Sequence, residues 1–428
     1  MKTRFAIAHF LFILALLSAC ATPSGGGQQS VAQSDKPRST APNASSDDLK
    51  SLTAGTRAFA FDLYQQIRAQ QGNLFFSPHS ISLALAMTYA GARGATAQQM
   101  QQALHFSLPA ASLHPAFNAL QLELAKREKD KNDPKLTNFK LSVVNALWGQ
   151  TGYKFTPDYL DLLAVNYGAG MRLLDYHANP EAARQVINDW VAKQTVDKIK
   201  GLIPTGAIDP NTILVLTNAI YFNAPWFTPF NAGSTQPGPF TLLDGSQTNV
   251  PLMHITRQCA YASGSGFLAI ELPYAGGEIS MVLLVPDAGK FDTFEKGLSA
   301  AQWETIRASL KSTQVELSLP KFQFTSEFKL NDPLNKLGMT SAFQPGQADL
   351  SGMDGTRELF ISQALHKAFI KLDEQGTEAA AVTAIVVGVT SMPAETVSVK
   401  VDRPFLFLIQ DKPTGEILFL GRVLNPAQ

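Results

Sequence analysis

Side chains that could carry out catalysis are few in this chain, and their spacing does not suit it. None of the seven His stands at metal-ligand spacing from another His or from a Cys. Ser77 lacks the Gly-x-Ser-x-Gly turn of hydrolases, and Cys259 is the only thiol after Cys20. Isolated residues such as His79 and His254 are typical of structural histidines. The sequence therefore predicts no enzyme, no metal and no cofactor.

One segment offers no reactive side chain of its own but could be acted on by a partner. It comprises residues 374–404, EQGTEAAAVTAIVVGVTSMPAETVSVKVDRP. Residues 379–391 carry no charge and no aromatic ring, and their small and β-branched side chains favour a strand. Three consecutive alanines nevertheless give weak local structure, and Pro393 ends a strand. The segment can stay an exposed loop or enter a sheet as an extra strand, because buried strands accept small apolar groups on both faces. We interpret it as a bait.

The N-terminus predicts a lipidated envelope protein. A positive start precedes an apolar run over residues 5–17, which is too short for a membrane-spanning helix. The sequence Leu17-Ser18-Ala19-Cys20 is typical of a lipoprotein signal, with residues 1–19 removed and Cys20 lipidated. An ordinary secretory signal is the alternative. Ala21 favours the outer membrane, with the protein facing the periplasm or the outside.

Beyond the signal, composition divides the chain into two parts. Residues 20–46 are rich in Ser, Gly, Gln and Pro, which predicts a flexible tether. Residues 47–428 show no second break in composition and predict one large domain. The formal net charge of +0 argues against a nucleic-acid partner, and we expect a monomer. One remaining Cys cannot form an internal disulfide, so packing alone must hold the fold.

The elements that must position the bait are helices first and strands later, which indicates an α+β domain. Asp47 or Asp48 can cap the first helix, and Ser77 with Pro78 can begin a second helix that runs to Gly91. Thr96 and Gln99 have capping-box spacing for a third helix. A further helix is predicted over residues 187–202. Strands are predicted over residues 214–222, 279–285, 315–319, 368–372, 405–409 and 417–420. Residues 126–135 alternate in charge, which is typical of a solvated loop, with a polyanion site as the alternative.

Short motifs along nearly the whole mature chain, taken together and in order, resemble the serpin family. They are NLFFSPHSIS (73–82), INDWV (187–191), LTNAIYF (216–222), LPY (272–274), LPKF (319–322), EQGTEAAA (374–381), RPF (403–405) and GRVLNP (421–426). The resemblance implies the serpin fold: a large central mixed or antiparallel sheet that accepts an extra strand, surrounding helices and a smaller β-barrel-like part.

The resemblance also implies a mechanism, suicide inhibition of serine proteases. A target protease attacks the reactive loop, about residues 374–399, and forms an acyl-enzyme. The cleaved loop then inserts into the main sheet and carries the protease along. About 15 inserted residues at roughly 3.3 Å each move it on the order of 50 Å. Deacylation stalls because the nucleophile is pulled from its base and oxyanion hole.

Insertion requires a hinge whose alternate side chains can enter the sheet. By resemblance the hinge comprises Glu374, Gly376, Thr377, Glu378, Ala379, Ala380 and Ala381. The predicted inward set is Thr377, Ala379, Ala381, Thr383, Ile385, Val387 and Val389, all small or aliphatic. A non-inhibitory serpin that acts as a binding module, with a loop that never inserts, is the alternative.

Family spacing places the reactive bond between Thr390 and Ser391. No Lys or Arg lies between Lys371 and Lys400, so a trypsin-like pocket would find no cation to bind. We expect targets with small aliphatic pockets, elastase-like or subtilisin-like. Cysteine proteases, which also form an acyl-enzyme, are the alternative targets.

Two further sites follow from the resemblance. Ser77, Ser80, Asn218 and His366 are expected to form a buried hydrogen-bonded cluster under the main sheet, where the sheet opens. Lys321 and Trp226 are expected to contact Glu374 at the top of the sheet.

Overall fold

The computed structural model describes residues 29–127, 139–377 and 396–428, and in these ranges helices come first and strands dominate later. This order confirms the predicted α+β class. The helices of the described ranges are α1 (Ser46–Ile67), α2 (Pro78–Tyr89), α3 (Gly94–Ala103), α4 (Ala110–Lys126), α5 (Pro157–Tyr167), α6 (Pro180–Gln194), α7 (Phe291–Gly297), α8 (Ala300–Ser309), α9 (Asn331–Lys336) and α10 (Ser351–Asp354).

The strands of the same ranges are β1 (Ser30–Ala32), β2 (Leu74–Phe76), β3 (Lys140–Gln150), β4 (Met171–Leu174), β5 (Leu214–Pro225), β6 (Gln236–Thr241), β7 (Gln247–Gly264), β8 (Phe267–Pro273), β9 (Ile279–Pro286), β10 (Lys311–Pro320), β11 (Phe322–Lys329), β12 (Ile361–Asp373), β13 (Gly376–Thr377), β14 (Val397–Lys400), β15 (Phe405–Asp411) and β16 (Glu416–Val423).

Two sheets organise these strands. The first sheet has the order β1-β4-β3-β5-β13-β12-β11, and the second has the order β14-β10-β7-β8-β9-β15-β16-β2, with β6 paired to β7. The second sheet, which corresponds to the predicted barrel-like part, is not a closed barrel in the described residues, because its end strands β14 and β2 do not pair with each other.

The core lies on both faces of the first sheet. The larger apolar cluster fills the space between the two sheets and helices such as α1, α2 and α4. A smaller cluster lies between the first sheet and α6, where Trp148 of β3 meets Ile187 and Val191. A sheet covered on both faces can accept another strand only if that strand is apolar or small throughout.

Two predicted helix caps are wrong. Ser45, rather than Asp47 or Asp48, caps α1, and its hydroxyl oxygen accepts from the Asp48 N–H at 3.0 Å in a capping box. Thr96 and Gln99 lie inside α3, where their oxygens accept backbone N–H groups of the 340–349 region. These two residues bind a neighbouring segment instead of capping their own helix.

The predicted helix over residues 187–202 begins earlier and ends sooner than expected. Asn179 caps α6 by accepting from the Ala182 N–H, and Pro180 occupies the first turn. The helix ends at Gln194, after which Val196 and Asp197 adopt φ angles of 50° and 60°. Two consecutive left-handed residues redirect the chain.

The tether predicted over residues 20–46 is also wrong for its described part. Val31 and its neighbours in β1 pair antiparallel with β4 and extend the first sheet at its edge. Lys36 pairs with Asp161 at 2.7 Å, and Arg38 donates to Asn118 at 2.8 Å. Backbone pairing and polar contacts hold this N-terminal segment (residues 29–45), which is why a composition poor in apolar residues did not reveal it.

Within the three described ranges, no helix is long and apolar enough to cross a membrane.

Candidate functional site at the opening of the first sheet

Two strands at the centre of the first sheet, β5 and β12, pair in parallel, as β3 and β4 do nearer its edge. β5 and β12 pair from Leu214 opposite Ile361 to Ile220 opposite Ala368, where the pairing ends. Each strand also pairs antiparallel with an outer neighbour, β5 with β3 and β12 with β11. Parallel pairing is slightly less stable per residue than antiparallel pairing. This junction is therefore a weaker line in the sheet.

The start of the bait lies where the two strands separate. After β12 the chain turns through Glu374 and Gln375, and β13 returns antiparallel to both β12 and β5. Thr377 pairs with Leu372 on one side and with Ala224 on the other. The hinge therefore already occupies the first positions of an inserted strand.

Gly376 and Thr377 fit this position tightly. Gly376 has φ 151°, and a Cβ there would lie 2.1 Å from the carbonyl oxygen of Ala224, so only glycine is tolerated. The Thr377 side chain is 1% exposed, and its hydroxyl hydrogen-bonds the Tyr274 hydroxyl at 2.7 Å. Thr377, the first residue of the predicted inward set, points into the core.

Glu374 anchors the turn before the hinge. Lys321 Nζ lies 2.8 and 3.0 Å from its two carboxylate oxygens, and the Thr235 hydroxyl donates to one of them at 2.7 Å. Burial would by itself raise the pKa of Glu374, but hydrogen bonds from Lys321 and Thr235 prevail and lower this pKa. The carboxylate stays ionised, so the ion pair persists at neutral pH.

Trp226 holds the same turn through its backbone and its indole. Its backbone N–H donates to the Gln375 carbonyl at 2.8 Å, and the indole Nε1–H donates to the Asp373 carbonyl at 3.1 Å. The indole stacks on Tyr274 with ring centroids 4.5 Å apart. Both residues predicted to contact the top of the sheet thus lie against the turn.

Below the hinge, the four predicted cluster residues lie together. Asn218 and His366 are opposite each other on β5 and β12, and His366 Nδ1 hydrogen-bonds Asn218 Oδ1. Asn218 Nδ2 donates to the Ser80 hydroxyl at 2.5 Å, and the Ser77 N–H donates to His366 Nε2 at 3.2 Å. The cluster links α2 to both strands, so separating β5 from β12 breaks it.

Asn145 of β3 is a cluster residue that the sequence analysis missed. Its Oδ1 accepts from Asn218 Nδ2 at 2.5 Å and from the Ser80 hydroxyl at 3.0 Å. An Asn within the strand-like run VVNALW was the available signal, because an amide in a buried strand requires partners.

His366 is neutral at physiological pH. Complete burial lowers its pKa to about 3 because desolvation disfavours the imidazolium. Since the Ser77 N–H donates to Nε2, the proton lies on Nδ1 and is donated to Asn218. Protonation would leave the Ser77 N–H without an acceptor.

Several predicted site residues lie outside the described residues and carry no structural statement. They are Cys20, Glu378, Ala379, Ala380, Ala381, Thr390 and Ser391.

The side chains considered for catalysis occupy structural positions. His79 Nδ1 faces Glu416 at 2.9 Å, and His254 Nδ1 faces the Ser318 hydroxyl at 2.9 Å. Burial raises the pKa of the Cys259 thiol to about 11, which leaves it protonated and unreactive. The three described ranges contain no group of His, Cys, Asp and Glu suited to hold a metal ion.

The start of the bait forms a new strand between two strands that pair in parallel. This arrangement agrees with the family to which the sequence is similar. Residues 54–426 match the family described as serpin (serine protease inhibitor). The chain therefore belongs to the serpin family.

Individual relatives cover almost the entire chain. A serpin-like protein of Thermococcus kodakarensis is 37% identical over 423 residues, 97% of this chain and 96% of that protein. The leukocyte elastase inhibitor of Xenopus laevis is 37% identical over 387 residues, 88% of this chain and 100% of the inhibitor. The native structure of tengpin, a thermophilic serpin, matches with a TM-score of 0.81 at 29% identity, over 92% of this chain and 99% of tengpin.

Proposed function

We propose that this serpin is a suicide-substrate inhibitor of serine proteases, and not an enzyme. One observation carries the proposal: β13 already lies between β5 and β12, antiparallel to both. Loop insertion by an inhibitory serpin is the continuation of this strand toward the far end of the sheet. Each further residue would replace a parallel β5–β12 contact with two antiparallel ones.

The side chains ahead of β13 support insertion. From residue 379 to residue 391 the bait has no charge and no ring, so every position fits a sheet covered on both faces. The hydrogen bond between Asn218 and His366 holds β5 and β12 together ahead of β13. The bait cannot insert further until these strands separate, so the contact favours the uninserted form. A protease that cleaves the bait frees the hinge to extend.

Target class follows from the residues around the proposed reactive bond, Thr390 and Ser391. These and Val389 are small or β-branched, which suits the shallow aliphatic pockets of elastase-like or subtilisin-like enzymes. The similarity to leukocyte elastase inhibitors supports the same class. Cysteine proteases are a second target class, since they share the acyl-enzyme step.

We further propose that the inhibitor is an envelope lipoprotein anchored through Cys20, in the outer membrane. Support comes from the sequence Leu17-Ser18-Ala19-Cys20 after a short apolar run.

Covalent trapping tests the inhibitory function. Pancreatic elastase incubated with the protein should give an SDS-stable band of summed mass, and its activity should disappear with the band's growth. Trypsin and elastase with a blocked active-site serine are the controls, and neither should give the band. Cleavage of the bait with elastase fully active afterwards would show a non-inhibitory serpin.

A further inference from the structure

A cavity of about 270 Å³ lies apart from the hinge, on the α4 side of the first sheet. Its walls come from five parts of the chain: Arg38 of the N-terminal segment, His79 of α2, Gln121 and Leu124 of α4, Leu141 of β3, and Tyr167 of α5. The cavity exists because the N-terminal segment docks, since Arg38 forms one side of it. No step of the proposed inhibition uses it.

Arg38 is a half-buried cation without a counter-ion. Its Nε donates to Asn118 Oδ1 at 2.8 Å and its Nη2 to Gln121 Oε1 at 2.5 Å, both of them neutral amide oxygens. Among the described residues no carboxylate forms an ion pair with it. Burial lowers its pKa, which reflects the cost of holding an unpaired charge away from water. An anion placed in the cavity would offset that cost.

His79 supplies a second unsatisfied polar group. The ring is 1% exposed, and Glu416 Oε1 faces its Nδ1 at 2.9 Å. Its Nε2 is buried and has no hydrogen-bond partner among the described residues. With Nδ1 engaged by Glu416, Nε2 is the polar atom of the ring left to bind a further group. A ligand hydroxyl would satisfy this atom.

The remaining wall is apolar. Leu124 of α4 and the side chains of Leu141 and Val143 line the cavity, and the two β3 residues alternate with Ser142 so that they share one face of the strand. Apolar walls with a few convergent polar groups are typical of small-molecule sites, and this volume suits a compact ligand.

We propose that the cavity binds a small amphipathic carboxylate, with the acid on Arg38, an apolar body against Leu124, Leu141 and Val143, and a hydroxyl toward His79. The ligand would connect the N-terminal segment to α2 and β3 and so favour the docked segment. An inorganic anion would pair with Arg38 but leave the apolar walls uncovered.

Calorimetry with 3-(4-hydroxyphenyl)propionate and the purified full chain tests this proposal. We expect saturable binding, and at least about tenfold weaker binding of the corresponding primary amide, because the amide cannot pair with Arg38. Binding should also raise the melting temperature in proportion to site occupancy. Absence of saturable heat up to about 10 mM, or equal binding of acid and amide, would overturn the proposal.

Three variants separate ligand recognition from docking of the N-terminal segment. Arg38→Gln removes the cation, and Gln121→Glu gives Arg38 an internal acid; each should weaken binding at least about tenfold. Lys36→Gln is the matched control, because it removes a cation of the same segment that lies outside the cavity. It should bind within about twofold of wild type. Unchanged binding by both Arg38→Gln and Gln121→Glu would contradict the assignment, as would displacement of the probe by equimolar inorganic phosphate.

Discussion

At the scale of single residues, Thr377 is the position from which the proposed insertion of the bait would continue. It is the last described residue before the gap at 378–395, and it is already buried, with its hydroxyl on Tyr274. Its neighbour Gly376 cannot carry a Cβ without meeting Ala224. The insertion that we propose would therefore begin from a residue that is already paired within the sheet.

Thr377→Arg should convert the inhibitor into a substrate. A long cation in the sheet interior is a buried, unpaired charge that costs several kcal/mol even after relaxation, so insertion slows while the bait stays cleavable. Deacylation of the protease is then faster than insertion of the bait. Mass spectrometry should find cleavage near Thr390, while elastase should remain active in an assay and give no covalent band on an SDS gel.

Thr377→Val is the matched control, because it keeps the shape and removes only the hydroxyl. It should still trap elastase. Stoichiometric trapping by Thr377→Arg would show that inhibition does not proceed through the hinge.

His366 gives the closed sheet a dependence on pH. Its folded pKa of about 3 lies below the value near 6.5 of an unfolded chain, so the unfolded state binds more protons between these values. The stability is therefore complete above about pH 6.5 and is lost as the pH falls toward 3. At pH 5 the loss from this residue is about 2 kcal/mol. His114, whose pKa burial lowers to about 4, adds a loss of the same sign.

Urea unfolding at pH 7 and pH 5 measures this loss. His366→Gln, which can donate and accept without titrating, should be less stable at pH 7 but lose less on acidification. The exposed His177→Gln is the control and should follow wild type. A wild-type stability that does not change between the two pH values would contradict a neutral His366.

At the scale of elements, α6 and the turn after it cover one face of the first sheet. Arg172 of β4 lies 4.5 Å from the Trp190 ring centroid and 5.4 Å from that of Trp148, so a cation–π contact ties α6 to the sheet. The chain leaves α6 through Val196, a 54% exposed residue with φ 50°. A β-branched residue in the left-handed region is strained.

Val196→Asn should stabilise the protein, because Asn tolerates this backbone region and the Val side chain buries little. We expect a gain of about 1 kcal/mol and a rise of about 1–3 °C in melting temperature by calorimetry. Val196→Thr keeps the β-branch and should leave the melting temperature unchanged. A lower melting temperature for the Asn variant would mean that the Val side chain contributes more by packing than the turn loses by strain.

The sequence predicted those helices and strands that depend on short stretches of neighbouring residues. β5, β9 and β15 are predominantly apolar, and Ser77 with Pro78 is a strong helix start, so these strands and this helix start were predicted close to their observed positions. By contrast, β7 mixes polar and apolar residues over Gln247–Gly264 because only part of it is covered, and no strand was predicted there.

The candidate site shows the same division. Motifs located Asn218 and His366, whose partners follow from strand register, yet Asn145 became visible only when β3 was paired with β5. The docking of the N-terminal segment depends on contacts such as Arg38 to Asn118, 80 residues apart, and no local pattern encodes such a contact.

At the scale of the whole molecule, the centre of the main sheet has a position where another strand could lie if β5 and β12 separated. The hinge fills its first two residues, and the β5–β12 pairing and the Asn218–His366 contact close the remainder. Closure of the sheet therefore depends on these contacts between β5 and β12, while apolar clusters pack against both of its faces.

Cys20→Ser should release the protein from membranes without affecting elastase trapping. The substitution removes the thiol that would carry the lipid and leaves the described fold untouched. Fractionation followed by intact-mass measurement checks this prediction, with Ser18→Ala, a small residue for a small residue, as the control that should remain membrane-bound. A wild-type protein that begins elsewhere and carries no acyl mass would contradict the anchor.

Because β1 (Ser30–Ala32) is part of the first sheet, it limits the length of any linker between the folded domain and a lipid on Cys20. Only nine residues lie between Cys20 and Ser30, and the ten fully extended Cα–Cα steps span at most about 35 Å, compared with about 90 Å for the 26 steps to Ser46. A folded domain held this close to the bilayer would reach only proteins near the membrane surface. Its targets would then be enzymes working at the membrane surface, and distance would add a second filter to the specificity of the bait.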